Sequence, residues 1–234
     1  MTPGPEFVRH RPAHDGPIHL APADPAWARQ YAEVEARITE ALGRTAVVVE
    51  HVGSTSVPGL DAKPFLDVVL LVPDPGDEAA YVTRLEEAGF LLYVREPDWH
   101  QHRFFRGHDP EVQVHVFAVG SEEAERMLAF RDHLRTDEAD RALYLETKRT
   151  LATRTWARVQ DYADAKSDVV EAILSRALST TAPDGPTRRH LHVPGSRPRT
   201  ADPAASDDPA PSQARPRTCL AASQVSKRPA ADAR

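Results

Sequence analysis

The sequence predicts an α/β (α+β) fold in which a mixed sheet is flanked by helices and covered by a C-terminal helical layer. Three observations lead to this prediction. The 234 residues, 41% of them hydrophobic, are enough for one well-buried core. Helix-like and strand-like apolar patterns alternate over residues 24–119. Only helix-like patterns follow, over residues 121–178.

The first half of the chain supplies two helices and three strands. A helix begins at Asp24, because proline follows this N-cap at the first helical position, and it ends at Gly43. Its apolar residues recur at spacings of three and four: Trp27, Tyr31, Val34, Ile38 and Leu42. Apolar runs predict strands at 46–49, 65–72 and 90–94, and a second helix is predicted at 77–88.

The second half begins with a hairpin and continues as helices. Residues 102–106 and 112–119 are the strands of a predicted β-hairpin around a turn at 107–110. Ser121 caps the next helix, and two more are predicted at 138–153 and 155–178. Before all of these, residues 18–20 have the pattern of a short edge strand.

Composition divides the chain into three parts. Residues 1–16 contain three prolines and are interpreted as a flexible lead. Residues 17–178 form the folded domain. Residues 179–234 contain nine prolines and no Phe, Tyr or Trp. Such a segment cannot bury enough surface to offset the entropy lost on ordering, so we expect a disordered tail.

Charge and cysteine content narrow the classes of function. Beyond residue 182 there are nine Lys/Arg and five Asp/Glu, a net charge of +4, so the remainder of a chain with net charge −6 carries −10. An acidic domain repels nucleic acid, and we expect no DNA or RNA partner. Cys219 is the one cysteine, which favours a cytoplasmic location. No apolar run approaches the ~20 residues that span a bilayer, so no membrane partner is expected.

Lysine is rare in this sequence, at four of the 29 basic residues. Three of the four, Lys63, Lys148 and Lys166, lie in the predicted domain. An ammonium group is a compact point charge suited to a tight phosphate site, so these three are candidates for specific roles. For Lys148 and Lys166, surface ion pairs on predicted helices are the alternative interpretation.

The segment with the clearest chemistry connects two predicted strands. One strand leads into Gly53 and Ser54, a loop rich in hydroxyl groups follows, and the next strand carries Asp67. Glycine lets a ligand approach the backbone, and Ser54 and Ser56 offer hydroxyl groups and amides to phosphate oxygens. A carboxylate such as Asp67 is a ligand that Mg²⁺ takes when it also holds substrate phosphates.

This segment closely resembles the signature of the GrpB family (UPF0157). The resemblance rests on residues 50–60, 62–64 and 66–67, and it continues through residues 114–116 and 130–132 to Tyr144, Lys148, Tyr162 and Lys166. That family is placed in the nucleotidyltransferase superfamily, whose pattern is Gly-Ser followed by Asp on a strand. Twelve residues separate Ser54 from Asp67 here, which fits that pattern. The resemblance implies a nucleotidyltransferase-like fold that binds a nucleoside triphosphate with Mg²⁺.

Each candidate residue has an expected role in such a site. Asp67 is the expected metal ligand and, with Lys63, the catalytic pair. The expected phosphate-binding residues are Gly53, Ser54, Ser56 and Arg103. The expected auxiliary residues are Glu50, His51 and His115.

One departure from the superfamily pattern leaves the activity open. The second acid of the pattern falls at Val69, and the hairpin strand offers Gln113 and His115 in place of a third carboxylate. Two-metal transfer needs carboxylates that hold two cations about 4 Å apart, which Asp67 alone cannot supply. Either Glu50 and His115 complete a one-metal site, or the domain binds a nucleotide without transferring it.

The expected partners follow from these alternatives. A transferase would act on a small molecule or a protein side chain, because the acidic domain disfavours nucleic acid. The alternative is a non-catalytic ligand-binding or folding-accessory module, since similar domains occur fused to dephospho-CoA kinase. The chain has no Gly-x-x-x-x-Gly-Lys-Ser/Thr pattern, so it is not that kinase itself.

Overall fold

The structure, a computed structural model, describes residues 4–9, 18–156 and 159–180. The strands in these ranges are β1 (Glu6–Phe7), β2 (Val48–Val52), β3 (Leu66–Val72), β4 (Phe90–Glu96), β5 (His102–Gly107) and β6 (Val112–Ala118). The helices are α1 (Ala26–Leu42), α2 (Val82–Glu87), α3 (Glu122–Thr136), α4 (Glu138–Ala152), α5 (Val159–Asp164) and α6 (Ser167–Thr180). None of these helices is both long and apolar enough to cross a membrane.

The strands form one mixed sheet in the order β1-β4-β5-β6-β3-β2. β3 and β6 are parallel, and the other neighbouring pairs are antiparallel. The register places Asp67 of β3 between Val52 of β2 and Gln113 of β6. This mixed sheet with its flanking helices confirms the predicted fold class.

Helices α1 and α2 cover one face of the sheet. The predicted apolar face of α1 is buried there through Trp27, Val34, Ile38 and Leu42. Strand side chains alternate between the two faces, so Val68 and Leu70 of β3 join this core. The same alternation directs Asp67 and Val69 to the other face.

The predicted C-terminal helical layer covers that other face. Val69 and Phe117 of the sheet pack against Ala124 and Met127 of α3. A second cluster joins the loop after β2 to α3, α4 and α6, through Val57, Leu60, Phe130, Leu134, Tyr144, Val170, Ile173 and Leu174. The helical layer therefore packs on the loop that carries the candidate site.

Several local structures differ from the sequence prediction. The helix predicted at 155–178 is two helices, α5 and α6, with a turn at residues 165–166. Tyr162 before the turn and Val170 after it are both buried, so the apolar spacing hides the break. Residues 18–20 form no strand, although Ala21 forms an isolated bridge with Ala62. Strand β1 lies within the segment predicted as a flexible lead. Residues 181–234, most of the predicted tail, are outside the described ranges.

Candidate functional site

The loop after β2 brings its backbone against the carboxylate of Asp67. Gly53 has φ of 68° and ψ of −172°, a combination that is essentially restricted to glycine. A Cβ atom at Gly53 would lie 2.3 Å from Oδ2 of Asp67. The close approach of loop and carboxylate therefore depends on this glycine. The structure brings together the two residues at the centre of the predicted site.

Hydrogen bonds within and around the loop hold it in this shape. Ser56 Oγ donates to the Gly53 carbonyl at 2.6 Å, and Thr55 Oγ1 donates to the Phe65 carbonyl at 3.2 Å. Arg135 of α3 donates to the Ser56 carbonyl from Nε at 3.1 Å and from Nη2 at 2.9 Å. Ser56 is buried and does not line the cavity described below. It stabilises the loop, and the predicted phosphate-binding role does not fit its position.

His51 supports the same loop from the opposite face of the sheet. Its ring stacks on Tyr31 with centroids 4.7 Å apart, and its Nε2 lies 3.0 Å from Thr55 Oγ1. The Thr55 hydroxyl gives its one proton to a carbonyl, so His51 donates from Nε2. Burial lowers the pKa of His51 to about 4, against a smaller opposing effect of Asp67. The ring is therefore neutral at pH 7 and acts as a structural residue.

A row of buried polar groups leads to Asp67. Oε2 of Glu96 lies 2.9 Å from Nδ1 of His102, and Nε2 of His102 lies 3.2 Å from Nδ1 of His115. Nε2 of His115 in turn lies 3.8 Å from Oδ1 of Asp67. Burial lowers the pKa of His102 to about 4 despite its hydrogen bond to Glu96, so this ring is neutral at pH 7. A neutral His102 that donates from Nδ1 accepts at Nε2, so Nδ1 of His115 donates to it and Nε2 of His115 faces Asp67.

The loop, the sheet and the helical layer enclose a cavity of about 60 Å³ beside Asp67. The loop and the strands contribute Gly53, Ser54, Lys63, Asp67, Gln113 and His115. The helical layer contributes Met127, Phe130, Tyr144, Lys148, Tyr162 and Lys166. One buried water needs about 10–15 Å³ on this measure, so the cavity holds roughly four to six water-sized groups. That is room for a phosphoryl group with a cation beside it, but not for a whole nucleotide.

Lys148 and Lys166 line this cavity instead of the protein surface. Their exposed fractions are 2% and 7%, which contradicts the alternative interpretation as surface ion pairs. Lys148 donates a hydrogen bond to the carbonyl of Asp61. Burial, and after it the charge of Lys166, lower the pKa of Lys148 to about 7. The rarity of lysine was the sequence signal for both residues, but it did not reveal that they lie beside Asp67.

Glu50 and Val69 provide no second carboxylate. Oε2 of Glu50 accepts from Nη1 of Arg131 at 2.6 Å, and the Glu50 side chain is 39% exposed and outside the cavity lining. Val69 is fully buried in the apolar contact with α3. The interpretation in which Glu50 completes a one-metal site therefore does not fit the structure.

The remaining donors fit one magnesium ion but not two. Oδ1 of Asp67 and Oε1 of Gln113 are buried, lie on adjacent strands and have no hydrogen-bond partner among the described residues. Mg²⁺ is commonly held by one or two carboxylates together with substrate phosphates. Asp67 and Gln113 can hold one ion in this way, whereas a two-metal site lacks its second carboxylate.

Arg103 points away from the cavity, which corrects its predicted phosphate-binding role. Side chains alternate along β5, so His102 contacts His115 on the cavity face while Arg103 lies on the opposite face. There Nε of Arg103 donates to Oε1 of Glu78 at 2.6 Å, and Arg95 binds the same carboxylate. Arg103 is a structural residue that anchors Glu78 to the sheet.

Replacing Arg103 with methionine is expected to destabilise the fold without changing ligand affinity. The substitution removes a partly buried hydrogen bond between charged groups, worth about 1.5–3 kcal/mol, and leaves Glu78 with Arg95. Urea unfolding should show the lower free energy of unfolding, while the calorimetric affinity for tripolyphosphate, a probe for the phosphate site predicted from the sequence, stays within about twofold. An affinity loss of about tenfold with unchanged stability would contradict this prediction and indicate that Arg103 binds the ligand.

Comparisons with known proteins agree with this fold. The family model described as GrpB protein matches residues 17–176. A UPF0157 protein of Halalkalibacterium halodurans is 49% identical over 167 residues, which cover 71% of this chain and 86% of that protein. A dephospho-CoA kinase of Mycobacterium leprae is 30% identical over 190 residues, covering 68% of this chain and 46% of the kinase. The crystal structure of GrpB from Enterococcus faecalis is similar with a TM-score of 0.62 and 28% identity, over 69% of this chain and 98% of that chain. This chain therefore belongs to the GrpB family, which has a nucleotidyltransferase-like fold.

Proposed function

We propose that this chain binds a nucleoside triphosphate together with one Mg²⁺ ion, and that a phosphoryl group and the ion enter the cavity beside Asp67. The observation that carries the proposal is the contact of the Asp67 carboxylate with the Gly53 backbone, in a cavity that three lysines also line. A carboxylate oxygen for a cation and ammonium groups for an anion suit a metal-bound phosphate chain.

Each residue has a distinct role in this proposal. Ser54 and Lys63 bind phosphate oxygens, and Gly53 lets the phosphate chain approach the loop backbone. Asp67 and Gln113 hold the ion, whose charge neutralises that of the phosphates. The base and sugar lie outside the cavity, since its volume of about 60 Å³ admits little more than a phosphoryl group.

Transfer of the nucleotidyl group is the finer part of the proposal. A general base would take the proton of the acceptor, and we assign that role to the His115 nitrogen, which lies 3.8 Å from Asp67. We propose a small molecule or a protein side chain as acceptor, because the chain before residue 183 carries a net charge of −10. A cytoplasmic location, favoured by the single cysteine, is part of the same proposal.

Calorimetric titration of ATP, CTP, GTP and UTP with Mg²⁺ tests nucleotide binding. We expect at least one nucleotide to bind the wild type and Asp67→Asn to weaken that binding by at least about tenfold, because the amide lacks the charge that holds the ion. Asp98→Asn removes an exposed carboxylate and is the matched control, with unchanged affinity. No binding by the wild type, or equal binding by Asp67→Asn, would contradict the proposal.

A second function, support of a dephospho-CoA kinase, is favoured by one comparison. The Mycobacterium leprae kinase matches this chain over 46% of its own length, so a similar domain is part of that larger protein. We propose as the alternative a non-catalytic module that binds such a kinase. Two measurements distinguish the functions. Gel filtration of the chain mixed with the dephospho-CoA kinase of its own organism detects a complex, and an assay with nucleoside triphosphates detects pyrophosphate release. A complex without pyrophosphate release favours the module, and pyrophosphate release without a complex favours the enzyme.

A further inference from the structure

Three lysines from separate elements line the cavity that contains Asp67. Lys63 comes from the loop before β3, Lys148 from α4, and Lys166 from the turn between α5 and α6. Nζ of Lys166 lies 4.8 Å from the centre of the Tyr162 ring, and Nζ of Lys63 lies 5.8 Å from the same centre. The helical layer thus places Lys148 and Lys166 in the same cavity as Lys63, which precedes strand β3.

Within the described part of the chain, the buried ammonium groups of Lys148 and Lys166 form no ion pair with a carboxylate. Lys166 is 7% exposed, and its ammonium group lies over the Tyr162 ring without an ion pair or hydrogen bond within the described part of the chain. Lys148, 2% exposed, donates to the neutral carbonyl of Asp61, whose carboxylate pairs with Arg149. Among the described residues that line the cavity, Asp67 is the one carboxylate. Buried ammonium groups need anions, so this cavity wall favours a ligand with more negative charge than Asp67 supplies.

We infer that Lys63, Lys148 and Lys166 form a subsite that binds one phosphoryl group of a polyphosphate or phosphate ester without a metal ion. A terminal phosphoryl group carries about two negative charges at neutral pH and offers three strong acceptor oxygens. The cavity volume of about 60 Å³ suits a group of this size. The inference rests on the proposed function, because it assigns the terminal phosphate of the same ligand to the lysines.

Binding of this group also changes the protonation of Lys148. The charged and titratable groups around Lys148 are Asp61, Lys63, Tyr144, Arg149 and Lys166. Burial and the charge of Lys166 lower the pKa of Lys148 to about 7, with Asp61 opposing them. At pH 8 about nine-tenths of this lysine is therefore neutral in the ligand-free protein. A bound anion favours the ammonium form, so binding at pH 8 takes up close to one proton per ligand.

Calorimetry with tripolyphosphate in EDTA tests the subsite on the full chain. We expect binding without a divalent cation, and an affinity lowered at least about tenfold by Lys166→Met. Lys166→Arg keeps the charge and should regain most of the affinity. Lys63→Met changes a partly exposed position and serves as a second variant, and Arg44→Met removes an exposed charge outside the cavity as the control.

Titration at pH 8 in two buffers of different ionisation enthalpy measures the proton uptake. The wild type should take up close to one proton more per ligand than Lys148→Met. Absence of tripolyphosphate binding in EDTA, or unchanged binding by both Lys63→Met and Lys166→Met, overturns the subsite. Binding of ATP with Mg²⁺ that needs Asp67 but neither lysine overturns the subsite and leaves the proposed function intact. Tripolyphosphate binding without nucleotide binding supports the subsite and contradicts the proposed function.

Discussion

Gly53→Ala is expected to abolish measurable phosphate binding and to destabilise the domain. The new Cβ would lie 2.3 Å from Oδ2 and 2.9 Å from Cβ of Asp67, so either the loop or the carboxylate must move. The backbone at φ of 68° and ψ of −172° adds strain of about 1–3 kcal/mol for a residue with a side chain. Ser54 and Asp67 line the cavity from the two sides of this contact, so any relief of it changes the site itself.

The control for Gly53→Ala is a glycine with positive φ and no close neighbour. Gly120 has φ of 81°, and a Cβ there would meet no atom within 4 Å. Gly120→Ala should therefore show the backbone cost in urea unfolding and keep wild-type affinity for tripolyphosphate. If Gly53→Ala also kept wild-type affinity, the binding site would not depend on the close contact between the loop and the Asp67 carboxylate.

The sequence could predict the part of the site that depends on neighbouring strands. Gly53 and Asp67 belong to a strand, loop and strand pattern, and antiparallel pairing of two such strands brings the loop beside the start of the second strand. Helix α1 was predictable for a similar reason, because its apolar spacing follows from helix geometry alone. In both cases the contacts are made by residues that are close together in the sequence.

Side-chain direction and helix placement could not be predicted in the same way. Arg103 and His102 are adjacent in β5 but lie on opposite faces of the sheet. If the strand is assigned with its two faces exchanged, Arg103 is wrongly placed at the site and His102 away from it. Lys148 and Lys166 reach the cavity only because α4, α5 and α6 pack over the site face of the sheet. That packing depends on contacts between distant segments, which periodicity does not specify.

The domain is expected to lose stability steeply between pH 6.5 and pH 4, because two histidines are buried in neutral form. Burial lowers the pKa of His51 and of His102 from 6.5 to about 4. Above pH 6.5 neither the folded nor the unfolded state binds the extra proton, so neither histidine affects the pH dependence. Between the two pKa values the unfolded state binds it and the folded state does not, so the free energy of unfolding falls as the pH falls. Each histidine contributes a loss of up to about 3 kcal/mol, complete near pH 4.

Urea unfolding at several pH values from 7 to 4.5 measures this loss, and glutamine variants assign it. His102→Gln retains an amide that can donate to Glu96 and a carbonyl that can accept from His115, so the buried row of polar groups keeps its hydrogen bonds. It should lower the pH slope of the unfolding free energy by about 1.4 kcal/mol per pH unit, as should His51→Gln, because each removes one proton from the difference between the states. His19→Gln, at an exposed position, should leave the slope unchanged. An unchanged slope in His102→Gln would mean that this histidine is already charged in the folded protein, and the hydrogen bond assigned from His115 to Nε2 of His102 would then run in the opposite direction.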